Sequence, residues 1–226
     1  MTAFGAALPT AADASFASLS SLGVWAVLLA LPVLLVAGTS FIKIAVVLGL
    51  LRSAVGAQDV PPTTVITVLS AVLTLFVMAP VGEEMLRAVD TMPAVVPDSA
   101  DRIGADEARA LYGAASPPLL AFLDANTSDT EKAFYAELAG NPDETDGLRV
   151  LLPAFATEEV VEAFWMGVLI FLPFLVLDLI VSTTLAALGF SSLNPTAISL
   201  PLKLLLLVAV DGWHIIISGM IAQYAT

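Results

Sequence analysis

The chain has 226 residues, 58% of them hydrophobic and only 13% charged, with a mean hydropathy of +0.94 and a net charge of −13. A soluble domain of this size carries about a quarter charged residues to cover its surface, so an ordinary water-soluble globule is excluded and an integral membrane protein is expected. The absence of cysteine excludes disulfides, thiolate metal sites and a cysteine nucleophile, and the single histidine, His214, excludes any site built on two imidazoles.

Residues 1–21 are small and polar, with no Lys or Arg before the first apolar run. They read as a lead-in and fit a secretory signal peptide poorly. Leu22 to Ile42 is uncharged over 21 residues, about the length that crosses a bilayer core roughly 30 Å thick. Pro32 inside it predicts a kink. Lys43 to Asp59 reads as a short connection. Val60 to Gly82 is the second apolar segment, with Pro61 and Pro62 at a helix start and Pro80 and Gly82 at its end.

A polar segment follows. Between Gly82 and Glu162 stand 17 acidic and 5 basic residues, so nearly all the net charge lies there. Asp106–Tyr112 predicts one short helix. Ser128-Asp-Thr-Glu131 has the spacing of a capping box, in which a hydroxyl and a carboxylate satisfy free helix amides reciprocally. Phe134, Tyr135 and Leu138 then form one apolar stripe. Asn141-Pro-Asp and Asp146-Gly read as turns. Thr157-Glu-Glu predicts the next helix start, with carboxylates at the positive dipole end.

From Ala163 onward the chain is almost wholly apolar. Gly189 and Asn194-Pro195 divide it into a third helix near Thr157–Leu188, bent at Pro173, and a fourth near Ala197–Tyr224. The expected fold is therefore all-α: an integral membrane protein with four hydrophobic, kinked segments and an acidic, partly helical insertion between the second and third. The units are 1–21, a first hydrophobic hairpin 22–82, the acidic segment 83–156 and a second hairpin 157–226. Lys43 and Arg52 in the short connection place 43–59 in the cytoplasm and the acidic segment outside.

Ionisable groups within apolar helices are costly and need partners. Asp178, Lys203, Asp211 and His214 are such groups. Lys203 and Asp211 lie eight residues apart, about 12 Å along a helix axis, too far to pair, whereas Asp211 and His214 are three apart and can touch. One reading makes these groups, with Lys43, Arg52 and Glu159, an ion-pair network that locks helices and neighbouring subunits together. A second makes the chain a small-molecule or ion transporter using Asp178, Lys203 and Asp211. An intramembrane aspartyl protease is set aside, because no tyrosine precedes Asp178 and no Gly-x-Gly precedes Asp211. No Walker loop, dinucleotide glycine motif or His-Glu-x-x-His occurs. No basic patch points to nucleic acid. Gly38, Gly49 and Gly56 suggest close helix approach.

Three stretches carry a resemblance. The first is Thr39-Ser-Phe-Ile-Lys-Ile-Ala-Val-Val-Leu-Gly-Leu-Leu-Arg-Ser-Ala-Val-Gly-Ala-Gln58 with Val60-Pro-Pro62 and Leu75-Phe-Val-Met-Ala-Pro-Val-Gly82. The second is Leu152-Pro-Ala-Phe155 with Glu159, Ala163, Phe164 and Phe171-Leu-Pro-Phe-Leu-Val-Leu-Asp-Leu-Ile-Val-Ser182. The third is Ile198-Ser-Leu-Pro-Leu-Lys-Leu-Leu-Leu206 with Val210-Asp-Gly-Trp213. In order and spacing they resemble the SctR/FliP family of type III secretion export-apparatus proteins. The resemblance implies a non-enzymatic, cofactor-free inner-membrane subunit. Several copies of it would assemble with SctS/FliQ-like and SctT/FliR-like subunits and further export-apparatus proteins. Together they would form a closed, pore-forming core, in contact with lipid, through which unfolded secreted substrates pass. It also implies that many apolar helices face protein rather than lipid. Family members carry consecutive methionines in the turn after the third hydrophobic segment. Here that turn is Gly189-Phe-Ser-Ser-Leu-Asn-Pro195, so Phe190 and Leu193 are the expected constriction. The poor signal-peptide match and Val77-Met-Ala-Pro-Val lean toward the injectisome branch over the flagellar one.

Overall fold

The computed structural model describes residues 32–56, 61–91, 105–190 and 192–224. The lead-in 1–21, the first part of the Leu22–Ile42 segment and residues 92–104 of the acidic segment lie outside the described residues. Among those described, regular structure is entirely helical: α1 (Phe41–Val55), α2 (Thr63–Asp90), α3 (Ala105–Ala125), α4 (Asp129–Leu138), α5 (Leu148–Ala187), α6 (Pro195–Ala209) and α7 (Gly212–Ala222). α2 and α5 are each long and apolar enough to cross a membrane. The pair α6–α7, bent by 61° at its break, passes the same test together.

The first apolar segment does not run unbroken into a loop. Helical residues 32–37 end at a turn over 38–40, and the stretch expected to be a short connection is instead α1. This helix is the centre of the protein. Its Ile44, Val47 and Leu48 pack with Ile66 and Val77 of α2, Ala163 of α5 and Met220 of α7. One turn later Leu51, Ala54 and Val55 pack with Phe174 of α5 and Leu207 of α6. Lys43 and Arg52 look like loop residues only until their partners are known. The described part of the 43–59 stretch is thus mainly a packed helix and not a loop.

Helix ends follow local chemistry. α1 stops at Gly56 in the left-handed region (φ 78°), whose amide donates to the Arg52 carbonyl. α2 passes through Pro80, where an end was expected, and continues to Asp90; a Glu83–Arg87 pair one turn apart at 3.0 Å supports the added turns. α3 is three times the length predicted from Asp106–Tyr112 and runs through Pro117 and Pro118. α5 begins at Leu148 rather than Thr157, behind Gly147. It spans 40 residues, about 60 Å at 1.5 Å per residue. Its end is a Schellman motif: Gly189 has φ 76° and the Phe190 amide reaches back to the Leu185 carbonyl at 2.9 Å. α6 starts on Asn194, whose side chain accepts from the Thr196 amide at 3.0 Å, with Pro195 in the first turn.

The expected single fourth helix is two. Asp211 adopts the left-handed region (φ 53°), which Asp tolerates better than most residues. A Cβ on Gly212 would sit 2.6 Å from Leu207 Cδ1 and 3.0 Å from its carbonyl oxygen, so the tight break needs glycine there. An apolar cleft of about 300 Å³ opens beside this joint, between Leu169, Ile170, Pro173 and Phe174 of α5 and Leu206, Val210 and Gly212.

Helices α3 and α4 lie against the first turns of α5. Leu123, Leu151 and Phe155 form a separate small core there. Lys132 of α4 reaches Asp124 of α3 at 2.7 Å and Asp129 at 3.4 Å; the Asp124 hydrogen bond is the main cause holding its ammonium above the ordinary lysine pKa. The expected stripe on α4 is not its buried face: Phe134 and Leu138 are exposed and Ala136 is buried.

Candidate functional site

Thr157, Glu158, Glu159 and Glu162 fall within two turns of α5 and serve other helices. The Thr157 hydroxyl is 2.7 Å from the Tyr135 hydroxyl of α4. Glu158 accepts from the Ser128 hydroxyl at 2.6 Å and the Ser128 amide at 3.3 Å. Ser128 caps α4 by accepting from the Glu131 amide at 3.4 Å. The carboxylate that the capping box assigned to Glu131 is thus supplied by Glu158, thirty residues along the chain.

Glu159 and Glu162 face α1. The Lys43 ammonium lies 2.9 Å from Glu159 Oε1 and 2.5 Å from Glu162 Oε2. Lys43 is 2% exposed and Glu159 1%, while Glu162 is 41% exposed. The Tyr224 hydroxyl donates to Glu159, and its ring centroid is 4.3 Å from the Lys43 nitrogen. One cation therefore meets two carboxylates and an aromatic face in a site closed on all but the Glu162 side. Of these, only Lys43 and Glu159 are among the residues singled out by sequence. Glu162 was legible as a carboxylate one turn past Glu159. Tyr224, 65 residues away, carried no local signal.

A second cluster joins three helices. Lys203 of α6 is buried and meets Asp178 Oδ2 of α5 at 2.7 Å. It also donates to the Ala54 carbonyl in the last turn of α1 at 3.1 Å. That carbonyl sits at the negative end of α1, where a cation is favoured. Asp178 keeps an exposed side, at 40%.

The remaining residues stand apart. Arg52 donates to the Thr63 hydroxyl at the start of α2 at 2.7 Å. Asp211 and His214, both exposed, lie 2.8 Å apart at the α6–α7 joint, and Asp211 takes no part in the Lys203–Asp178 pair. Phe190 and Leu193 are about half exposed in the α5–α6 turn, with Phe190 fixed by the Schellman motif and Leu193 donating from its amide to the Phe190 carbonyl at 3.3 Å. No group of three or more metal-ligating side chains occurs among the described residues.

The FliP family profile matches residues 24–220, most of the chain. The chain belongs to the FliP family. Among its relatives is the hypersensitivity response secretion protein HrcR of Ralstonia nicotianae, 38% identical over 94% of this chain and 99% of that protein. The Yop proteins translocation protein R of Yersinia pestis is 36% identical over 86% of this chain and 90% of its own length. The flagellar biosynthetic protein FliP of Pectobacterium carotovorum is 41% identical over 85% of this chain and 73% of that protein. The charged residues of both clusters and the Gly189–Pro195 turn fall inside the matched FliP family region, whereas Tyr224 lies just past its end.

Proposed function

We propose that this chain is a structural, pore-forming subunit of a type III protein secretion export gate in the bacterial inner membrane. Several copies would stand with SctS/FliQ-like and SctT/FliR-like subunits around a passage for unfolded substrates, with no catalysis and no cofactor. Relatives named for secretion, translocation and flagellar biosynthesis support the system; the observation that supports the role is the contrast between inside and outside. Charged groups of the helical core are neutralised within the chain, yet apolar side chains stay exposed along α5 from Val161 to Leu188, a length of about 40 Å against a hydrocarbon layer of about 30 Å. Trp165, Leu169 and Leu179 on α5, Leu75 and Phe76 on α2, and Leu205 and Val208 on α6 are all more than 60% exposed. Such a surface needs more covering than one bilayer supplies, and neighbouring subunits supply it.

In this reading Lys43, Arg52, Glu159, Asp178, Lys203 and Asp211 set the helix geometry that neighbours read. The partly open carboxylates of Asp178 and Asp211 face those neighbours, and Phe190 and Leu193 narrow the passage. The acidic segment lies outside the membrane on the periplasmic side. The injectisome branch is favoured and would place the gene beside injectisome genes. A transporter reading is less favoured, because Lys203 already holds Asp178 and Asp211 is committed to His214.

Co-purification tests the proposal. The chain should carry two other very apolar proteins with it from its native membrane, and Lys203→Ala should abolish that complex on native gels. Substrate-dependent uptake by the purified chain alone in liposomes would replace the gate with a transporter. Phe190→Gly with Leu193→Gly should raise ion leakage through the assembled core severalfold; an unchanged leak removes those residues from the constriction.

A further inference from the structure

Tyr224 lies two residues past α7 and touches three separate parts of the chain. Its hydroxyl donates to Glu159 of α5. One face of its ring lies near the Lys43 ammonium of α1. The ring also stacks on Phe122 of α3, with centroids 6.0 Å apart and planes 21° from parallel. Phe122 meets Phe155 of α5 edge-on at 5.6 Å. One aromatic side chain thus touches both the acidic segment and the Lys43–Glu159 site.

The two ends of that side chain do different chemistry. The hydroxyl gives a buried carboxylate a donor besides Lys43, and a carboxylate so enclosed needs its lone pairs occupied. The ring offers the ammonium the negative face of its quadrupole and offers Phe122 a flat apolar surface. Neither contact substitutes for the other. On the opposite side of the same turn of α5, Thr157 and Glu158 hold α4. A shift of that turn therefore reaches α4 through hydroxyls and carboxylate, and reaches α3 through Tyr224 as well as through the neighbouring Phe155.

We propose that Tyr224 is a positioning residue that couples the acidic helices α3–α4 to the Lys43–Glu159 site: its hydroxyl aligns the Glu159 carboxylate on Lys43 while its ring ties α3 to the end of α7. The assignment rests on this packing and stands or falls independently of the export-gate reading.

Hydrogen exchange on the full chain in detergent micelles tests it, because exchange reports local opening segment by segment. In Tyr224→Ala, exchange should rise about tenfold or more in three separated places: residues 219–224, the first turn of α1, and residues 119–125 of α3. In Tyr224→Phe the stack is kept and the donor lost. Exchange should rise at the first turn of α1 and around residue 159, with 119–125 unchanged. Phe122→Leu approaches from the other side and should raise exchange at 219–224 as well as in α3. A rise confined to 219–224 in Tyr224→Ala overturns the coupling. So does Tyr224→Phe opening α3 as widely as Tyr224→Ala. Should Tyr224→Ala fail to fold, Phe122→Leu decides alone: unchanged protection at 219–224 refutes the proposal.

Discussion

Lys43 carries the sharpest electrostatic demand in the fold. A fully desolvated ammonium is tolerated only where opposite charge and hydrogen bonds replace its water, and Glu159, Glu162 and Tyr224 do this together. Removing one partner is worse than removing both. Lys43→Met should cost about 3–5 kcal/mol, because Glu159 is left charged and buried. Adding Glu159→Leu to Lys43→Met should recover part of that loss, read as the melting temperature in detergent. A loss no larger than that of an exposed pair would mean that water reaches the site. At this scale the sequence exposed the anomaly, a lysine in an apolar run, and hid its resolution. Lys43 and Glu159 are 116 positions apart, and no local rule joins them. The Thr157-Glu-Glu run was read as a cap for its own helix because a hydroxyl followed by carboxylates is what free amides need. The same groups serve Tyr135, Ser128 and Lys43 instead.

Among the helices, the glycines separate local from tertiary causes. Gly49 has open space around its missing Cβ, so Gly49→Ala should stabilise α1 by about 0.5–1 kcal/mol through helix propensity. Gly56 closes the same helix at φ 78°, and Gly56→Ala should cost about 1 kcal/mol in backbone strain. Gly167 is different again. A Cβ there would lie 2.3 Å from Leu50 Cδ1, where α5 crosses α1. Gly167→Val should therefore cost about 1–3 kcal/mol, partly restored by Leu50→Ala; equal effects of all three changes on thermal stability would contradict this division. The sequence drew attention to Gly38, Gly49 and Gly56; Gly38 does lie close to Leu152 of α5, but the tighter approach, between α1 and α5, sits at Gly167, which no spacing marked. Stop signals fared better where they were chemically complete: Gly189 and Asn194-Pro195 end and start helices as read. Pro80 misled as an end signal, because it lies within α2; Pro117, Pro118 and Pro153 likewise lie within helices.

For the molecule as a whole, composition was the most legible feature. An apolar, helical chain with too little charge to cover itself follows from hydropathy, and the described helices have that character. What hydropathy could not show is that the segment around Lys43 and Arg52 is the buried centre, because burial by protein and burial by lipid select the same side chains. The exposed apolar faces carry the matching prediction. Trp165→Glu, at a side chain 68% exposed, should leave helix content and the monomer's melting temperature in detergent almost unchanged. It should nevertheless prevent recovery of the multi-subunit complex, measured by native mass. A complex that forms normally would show that this face contacts only lipid.

The cleft beside the α6–α7 joint has a mechanical consequence. Pro173 removes the rung that would tie the Leu169 carbonyl into α5, and Asp211 interrupts the ladder directly across the gap. Two weakened backbones border the same apolar cleft, so on that side each has fewer packed neighbours to resist its bending. Compliance is thereby concentrated in one narrow zone, while the clamps at Lys43 and Lys203 keep the helices on either side stiff; flexing there alters the cleft's width without breaking an ion pair.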